Sequence, residues 1–315
     1  MILSTLDKSR KGGAYEQIPS LVLGQRWTPQ LNSRNMMKVV LCVWIEPYIE
    51  NDLSFCVWPV HTPTTSKEVL TLSASTSPLP YTGNKSCIVN TILSVMPKHT
   101  VYIDPCMGSA EVFFRKPRAE KEILNDYNGD LVNLFRVIQN NEKLAYLLGR
   151  LYLSINGELA FKQNKDRLKG VPNILDDVIE TSQIFYDASW EDIQNAAAFL
   201  ENQVYSFSST GQTFGIARRD MSQRLPRLMS AYNRIRDAII LHRDYKDVIT
   251  YAACPGSFIL LDPPYKGTED MYSKANFDIE QHDILFSFMS EVNQQHHGEV
   301  KFLITYNNDP YIRGV

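Results

Sequence analysis

The chain has 315 residues, 44% hydrophobic and 21% charged, the proportions of an ordinary globular protein. A net charge of -3 excludes a surface coated in basic residues but leaves room for a local basic face. No segment reaches the roughly 20 apolar residues of a membrane span, and Asp7, Lys8, Arg10 and Lys11 precede no apolar signal core, so a cytoplasmic protein is expected. The five cysteines, Cys42, Cys56, Cys87, Cys106 and Cys254, show no CxxC spacing and no histidine partner. That pattern predicts buried free thiols and no metal site.

In chain order, Val39–Ile45 and Leu53–Val60 are short β-branched runs separated by Glu50-Asn51-Asp52, a hairpin pattern. His61–Ser77, rich in Thr, Ser and Pro, reads as a linker, so residues 1–77 form an extension of unassigned role. Ser86–Met96 has helical spacing; Val101-Tyr102-Ile103 is a strand ending in Asp104-Pro105; Glu122–Leu124 is a second strand closed by Asn125-Asp126; Leu131–Gln139 is an amphipathic helix. Residues 78–140 thus begin a parallel α/β sheet. Residues 141–245 are mostly helical, with Glu142–Leu153, Glu191–Leu200 and Leu225–Leu241 the best helices and Ser206–Thr213 a loop. The sheet resumes in 246–315 with the apolar strand Phe258–Leu261, the helix Ile279–Val292 and the strand Phe302–Thr305.

Three carboxylates stand at strand ends. Asp104-Pro105-Cys106-Met107-Gly108-Ser109-Ala110 is a strand, small-residue loop and helix start, an arrangement that brings backbone amides close to a ligand. A mere tight turn is the competing reading. Asp126, about 20 residues on, is placed to accept from ribose hydroxyls and disfavours a phosphate there, which suits S-adenosylmethionine; Asn125–Asp130 is equally a turn and helix-cap sequence. Asp262-Pro263-Pro264-Tyr265 follows the apolar strand. Its prolines stiffen the loop and remove amide donors, leaving carbonyls and the aspartate to accept from a substrate amine, while Tyr265 offers a flat face to a base. Arg218, Arg219, Arg224 and Arg227, followed by Arg234, Arg236, Arg243 and Lys246, form a basic cluster beside the Gly211–Phe214 loop. The cluster reads either as a DNA phosphate contact or as a solvated helix face.

These motifs, in this order, resemble the Dam-type DNA adenine methyltransferases. Pro80-Tyr81-Thr82-Gly83-Asn84-Lys85 is similar to the family's amino-terminal cofactor motif, Asp104–Phe114 to its first motif, Asn125–Asn128 to its second and Asp262–Tyr265 to its fourth; Tyr265–Glu269 and Ile304–Asn307 also fit. The resemblance implies a Rossmann-like sheet with an inserted, mostly helical DNA-recognition domain, and N6 methylation of an adenine flipped out of double-stranded DNA. It implies that Tyr81 lines the S-adenosylmethionine site beside Pro105, Gly108 and Ser109, that Lys85 contacts the cofactor or braces its pocket, that Asp126 holds the ribose, and that Asp262 lies beside methyl group and amine. A monomer, with a restriction endonuclease as candidate partner, is the expected assembly. Cytosine N4 methylation and an inactive DNA-binding remnant are the alternatives. Family members continue with further strands, so the resemblance also implies a chain cut short, with the strand at Phe302–Thr305 left at an open sheet edge.

Overall fold

The computed structural model describes residues 38–41, 76–176, 188–217, 219–265, 277 and 279–307. The strand pattern at Leu53–Val60, most of the linker, Arg218, the stretch after Tyr265 and residues 308–315 lie outside them.

The elements run β1 (Lys38–Leu41), α1 (Val89–Val95), β2 (Val101–Asp104), α2 (Glu111–Arg115), β3 (Lys121–Asn125), α3 (Gly129–Gln139), α4 (Asn141–Tyr152), α5 (Glu158–Lys169), α6 (Trp190–Tyr205), α7 (Leu225–Ile235), β4 (Ile239–Leu241), α8 (Tyr245–Ala252), β5 (Ser257–Leu261), α9 (Ile279–Gln295) and β6 (Lys301–Asn307). They form one sheet of order β1-β6-β5-β2-β3-β4. Strands β2 to β6 are mutually parallel, and β1 joins antiparallel to β6. The order reverses between β2 and β5, so the chain leaves those neighbouring strands in opposite directions and opens a crevice at their carboxyl ends. Asp104 and Asp262 stand at that crevice.

Side-chain alternation divides the core into two layers. Tyr102, Leu124, Ile240, Phe258, Leu260 and Leu303 face one side, where α1 to α7 pack. Ile103, Ile123, Leu241, Ile259, Leu261 and Ile304 face the other, under α8 and α9. Both faces are covered, which explains why β2 and β5 read as unbroken apolar runs. Helix α6 carries a Ser189/Asp192 capping box at its start. Its buried side includes Ile193, Ala196, Ala197, Phe199, Leu200 and Val204, and it packs on α3, α4 and α5.

Three expectations need correction. The helix read over Leu225–Leu241 stops at Ile235, and Ile239–Leu241 is strand β4, paired with β3 inside the stretch expected to be helical. The turn is stitched by Gln139, whose buried amide donates to the carbonyls of Ile235 at 3.1 Å and Ala238 at 2.6 Å. Secondly, β6 does not stand at an open edge, because β1 covers it with Lys38 opposite Asn307 and Leu41 opposite Ile304. The second run of the expected hairpin, Leu53–Val60, lies outside the described residues. Thirdly, the described cysteines are not all buried: Cys87 is exposed, and Cys106 and Cys254 are half-buried free thiols. Among the described residues, no helix is long and apolar enough to cross a membrane and no cluster of His, Cys, Asp or Glu could hold a metal ion.

Candidate active site

Strand β2 delivers Asp104 into a loop whose path needs two left-handed residues, Gly108 (φ 47°) and Ala110 (φ 54°). The Met107 amide donates to the Asn125 carbonyl at 2.8 Å and the Gly108 amide to Asp126 Oδ2 at 2.9 Å. Asp126 Oδ1 accepts from the Asn128 amide at 2.9 Å. Asn125 ties three strand ends together: its amide group donates to the carbonyls of Pro105 and Arg243, both at 2.9 Å, and accepts from the Arg243 amide at 2.8 Å. From the sequence Asn125 was legible as a turn residue, not as this clamp.

The segment before α1 closes over the loop. The Ser77 hydroxyl donates to the Ser109 carbonyl at 2.6 Å, and the Tyr81 hydroxyl accepts from the Asn128 side chain at 3.3 Å. Tyr81 lies over Gly108, where a Cβ would sit 3.7 Å from its ring. Lys85 is buried, donates to the Gly83 carbonyl at 2.7 Å and forms an ion pair with Asp262 Oδ2. Asp262 Oδ1 accepts from the Tyr265 hydroxyl at 3.2 Å and from the Thr305 hydroxyl.

A cavity of about 800 Å³ collects these groups. Its wall includes Tyr81, Lys85, Asp104, Pro105, Gly108, Ser109, Asp126 and Asp262, every cofactor candidate named from the sequence, together with Pro264. Pro263 is buried and, like Tyr265, is outside that wall. The Tyr265 ring instead lies 5.3 Å from Lys85 Nζ and 6.0 Å from the Tyr306 ring. Lys165, Lys169, Phe199, Tyr245 and Phe277 also line the cavity and went unread; no motif in the sequence sets them apart from core or surface residues.

The carboxylates crowd one another. Burial, reinforced by Asp262 and Asp126, pushes Asp104 up to about 8 against the lowering hydrogen bond from Tyr102. Its Oδ2 accepts from the Tyr102 hydroxyl at 2.9 Å, whereas Oδ1 is buried without a hydrogen-bond partner among the described residues. Desolvation lifts half-buried Asp126 to about 6, opposed by the Asn128 and Gly108 amides. Lys85 is committed to Asp262, and a ligand carrying positive charge and hydroxyl donors would suit the raised carboxyls of Asp104 and Asp126.

The basic cluster divides. Arg219 is half-buried and donates to the Val204 carbonyl at 2.6 Å, bracing the loop that follows α6. Arg224 is half-buried, with its pKa lowered by burial and by the nearby Arg227 and Arg219, while Arg227 is exposed. Arg234 is no DNA candidate: it lies in the core over the Phe113 ring and pairs with Glu122, which also holds buried Lys116. Arg236 pairs with Asp237 and Arg243 with Asp247. The loop itself is a small hairpin closed by a Ser206–Phe214 bridge, with Ser208, Ser209 and Gly211 at positive φ. Lys165 ties it to α5 by donating to the Gln212 carbonyl at 2.7 Å.

Comparison with known proteins gives the same direction. The family model described as D12 class N6 adenine-specific DNA methyltransferase matches residues 81–315. The chain is similar to the DNA N-6-adenine-methyltransferase of Escherichia phage P1, at 25% identity over 250 residues, covering 74% of this chain and 30% of that protein. It is similar to modification methylase StsI of Streptococcus sanguinis, at 25% over 247 residues, covering 73% and 35%. Type II methyltransferase M1.LlaDCHI of Lactococcus lactis subsp. cremoris aligns at 23% over 192 residues, covering 59% and 64%. The chain spans about a third of the length of the first two. With the matched region beginning at Tyr81 and taking in all three strand-end carboxylates, the chain belongs to the D12 class N6 adenine-specific DNA methyltransferase family.

Proposed function

We propose that this chain transfers a methyl group from S-adenosylmethionine to the exocyclic N6 amine of an adenine extruded from duplex DNA. The observation that carries the reading is the convergence of Asp104, Asp126 and Asp262 on one cavity at the carboxyl ends of β2, β3 and β5. Asp104 Oδ1, without a hydrogen-bond partner among the described residues, and the raised values of Asp104 and Asp126 fit a cofactor with cationic groups and ribose hydroxyls. Asp126 would hold the ribose, Asp104 a positively charged group, and Tyr81 would cover the site. S-adenosylmethionine, when bound, supplies a methyl group on a cationic sulfur.

The chain's own residues then act on the amine. An amine conjugated to a ring is a weak nucleophile. Asp262 and the carbonyl of Pro264, on a loop stiffened by Pro263, accept hydrogen bonds from its N–H groups and so turn its lone pair away from the ring; the surplus proton leaves to water. Extrusion is required because a stacked base cannot present its amine to the cavity. Arg219, Arg224 and Arg227 are the proposed phosphate contacts, with the 206–215 hairpin beside them. Because relatives are named modification methylases, a restriction endonuclease belongs to the proposal as a partner.

The test is transfer from tritiated S-adenosylmethionine to DNA free of methylated bases, followed by digestion to nucleosides. Label in N6-methyldeoxyadenosine is expected. Label in N4-methyldeoxycytidine, or none in DNA, would overturn the reading.

A further inference from the structure

We infer that Thr305 is a positioning residue for methyl transfer: from strand β6 its hydroxyl fixes the Asp262 carboxylate in the orientation that receives the target amine. The inference rests on the function proposed above.

The register places it there. Strands β5 and β6 are parallel with Leu261 opposite Ile304, so Asp262, one residue past β5, meets Thr305, one residue further along β6. Parallel partners in register project to the same face of a sheet, and the Thr305 hydroxyl donates to Asp262 Oδ1. Thr305 is 1% exposed. In such a place a valine would fill the same volume and suit a strand equally well. What distinguishes threonine is the hydroxyl, and its acceptor is the candidate catalytic carboxylate.

The other two groups on Asp262 are less able to set its plane. Rotation about the terminal carboxylate bond is broad and roughly two-fold. Lys85 holds Oδ2 from the end of a long flexible chain. Tyr265 reaches Oδ1 at 3.2 Å but belongs to the same loop as Asp262, so it moves with the group it contacts. Thr305 is β-branched, with a restricted side-chain torsion, and sits on a strand paired on both sides, to β5 and β1. It is the contact that refers the carboxylate to the rigid sheet, and displacement of a reacting group by about 1 Å can cost on the order of 100-fold in rate.

The experiment compares Thr305→Val and Thr305→Ser with the wild-type full chain. Single-turnover methylation of plasmid DNA free of methyladenine gives the rate, its dependence on DNA concentration gives apparent affinity, and calorimetric titration with sinefungin gives cofactor-site affinity without transfer. Thr305→Val should lower the rate by roughly 10- to 100-fold while DNA and sinefungin affinities stay within about threefold. Thr305→Ser, which keeps the hydroxyl, should recover most of the lost rate. If Thr305→Val does not fold, Thr305→Ala carries the same expectation. A Val variant within about twofold of wild type, a parallel loss of sinefungin binding, or a Ser variant as slow as Val overturns the positioning role. Wild-type protein that methylates no adenine overturns the proposed function and this role with it, an outcome distinct from active wild type with an unaffected Val variant.

Discussion

Replacing Asp104 with asparagine should make the protein more stable at alkaline pH and a poorer cofactor binder. The Asp104 carboxyl is 3% exposed and is raised from 3.8 to about 8 by burial first, then by Asp262 and Asp126. The folded state therefore keeps a proton that the unfolded chain has released, so stability falls as pH rises from about 4 to about 8 and levels off above. At about 1.4 kcal/mol per unit, the group costs roughly 4 kcal/mol at pH 7 but less than about 2 kcal/mol at pH 5. Asparagine is nearly isosteric, can still accept from Tyr102, and carries no such linkage. Thermal unfolding of ligand-free protein between pH 4 and 9 should show wild type and Asp104→Asn converging at the acid end. At pH 8 they should separate, with the variant higher by on the order of 10 °C. Added S-adenosylmethionine should raise the wild-type midpoint far more than the variant's, since its positive charge compensates the carboxylate. Parallel melting curves across the whole range would refute the assignment of an uncompensated carboxyl at Asp104.

Asp262→Ala should leave a folded protein whose transfer rate falls by at least about 100-fold, a loss of roughly 3 kcal/mol of transition-state stabilisation; near-normal turnover in the tritium assay would remove its role. Asp126→Ala should weaken S-adenosylmethionine binding by roughly 1–3 kcal/mol, read by calorimetry, and an unchanged affinity would leave Asp126 as a turn residue alone. Glu122→Ala leaves the cations of Lys116 and Arg234 buried without their carboxylate, so denaturant unfolding should show a loss of about 3–5 kcal/mol, whereas a loss below about 1 kcal/mol would mean water or another group takes its place.

The strand-end carboxylates were legible because each follows a short apolar run that fixes its strand, and a parallel sheet sends all such ends to one side. Asp104, Asp126 and Asp262 could thus be grouped before any distance was known. What depended on partners far along the chain could not. Arg234 sits in a run of arginines that looks like a DNA face, and its true partner, Glu122, lies 112 residues earlier. Strand β4 is three residues long and follows α7 with little interruption, so its apolar side chains continue the helical spacing and hide the change of structure. Thr305 and Asn125 are ordinary strand-end residues until pairing places them beside a loop from another part of the chain. The β1–β6 pairing is likewise a register between distant segments, which no local pattern announces.

The single core on the α1–α7 face has a consequence for redesign. Phe161, Ile193, Phe199 and Leu228, from helices between β3 and β4, belong to the same apolar cluster as Tyr102, Phe135 and Phe258. Those helices cannot be exchanged between relatives as a cassette, because every seam would cut through packed side chains and open cavities costing about 2–5 kcal/mol for each large residue mismatched. The hairpin from Ser206 to Gly215 is different: it stands outside that cluster apart from the packed Phe214, and Phe207 at its start is 68% exposed. A graft confined to that hairpin, with the Val204 carbonyl kept for Arg219, is therefore the smallest exchange between relatives that the architecture would accept without repacking its interior.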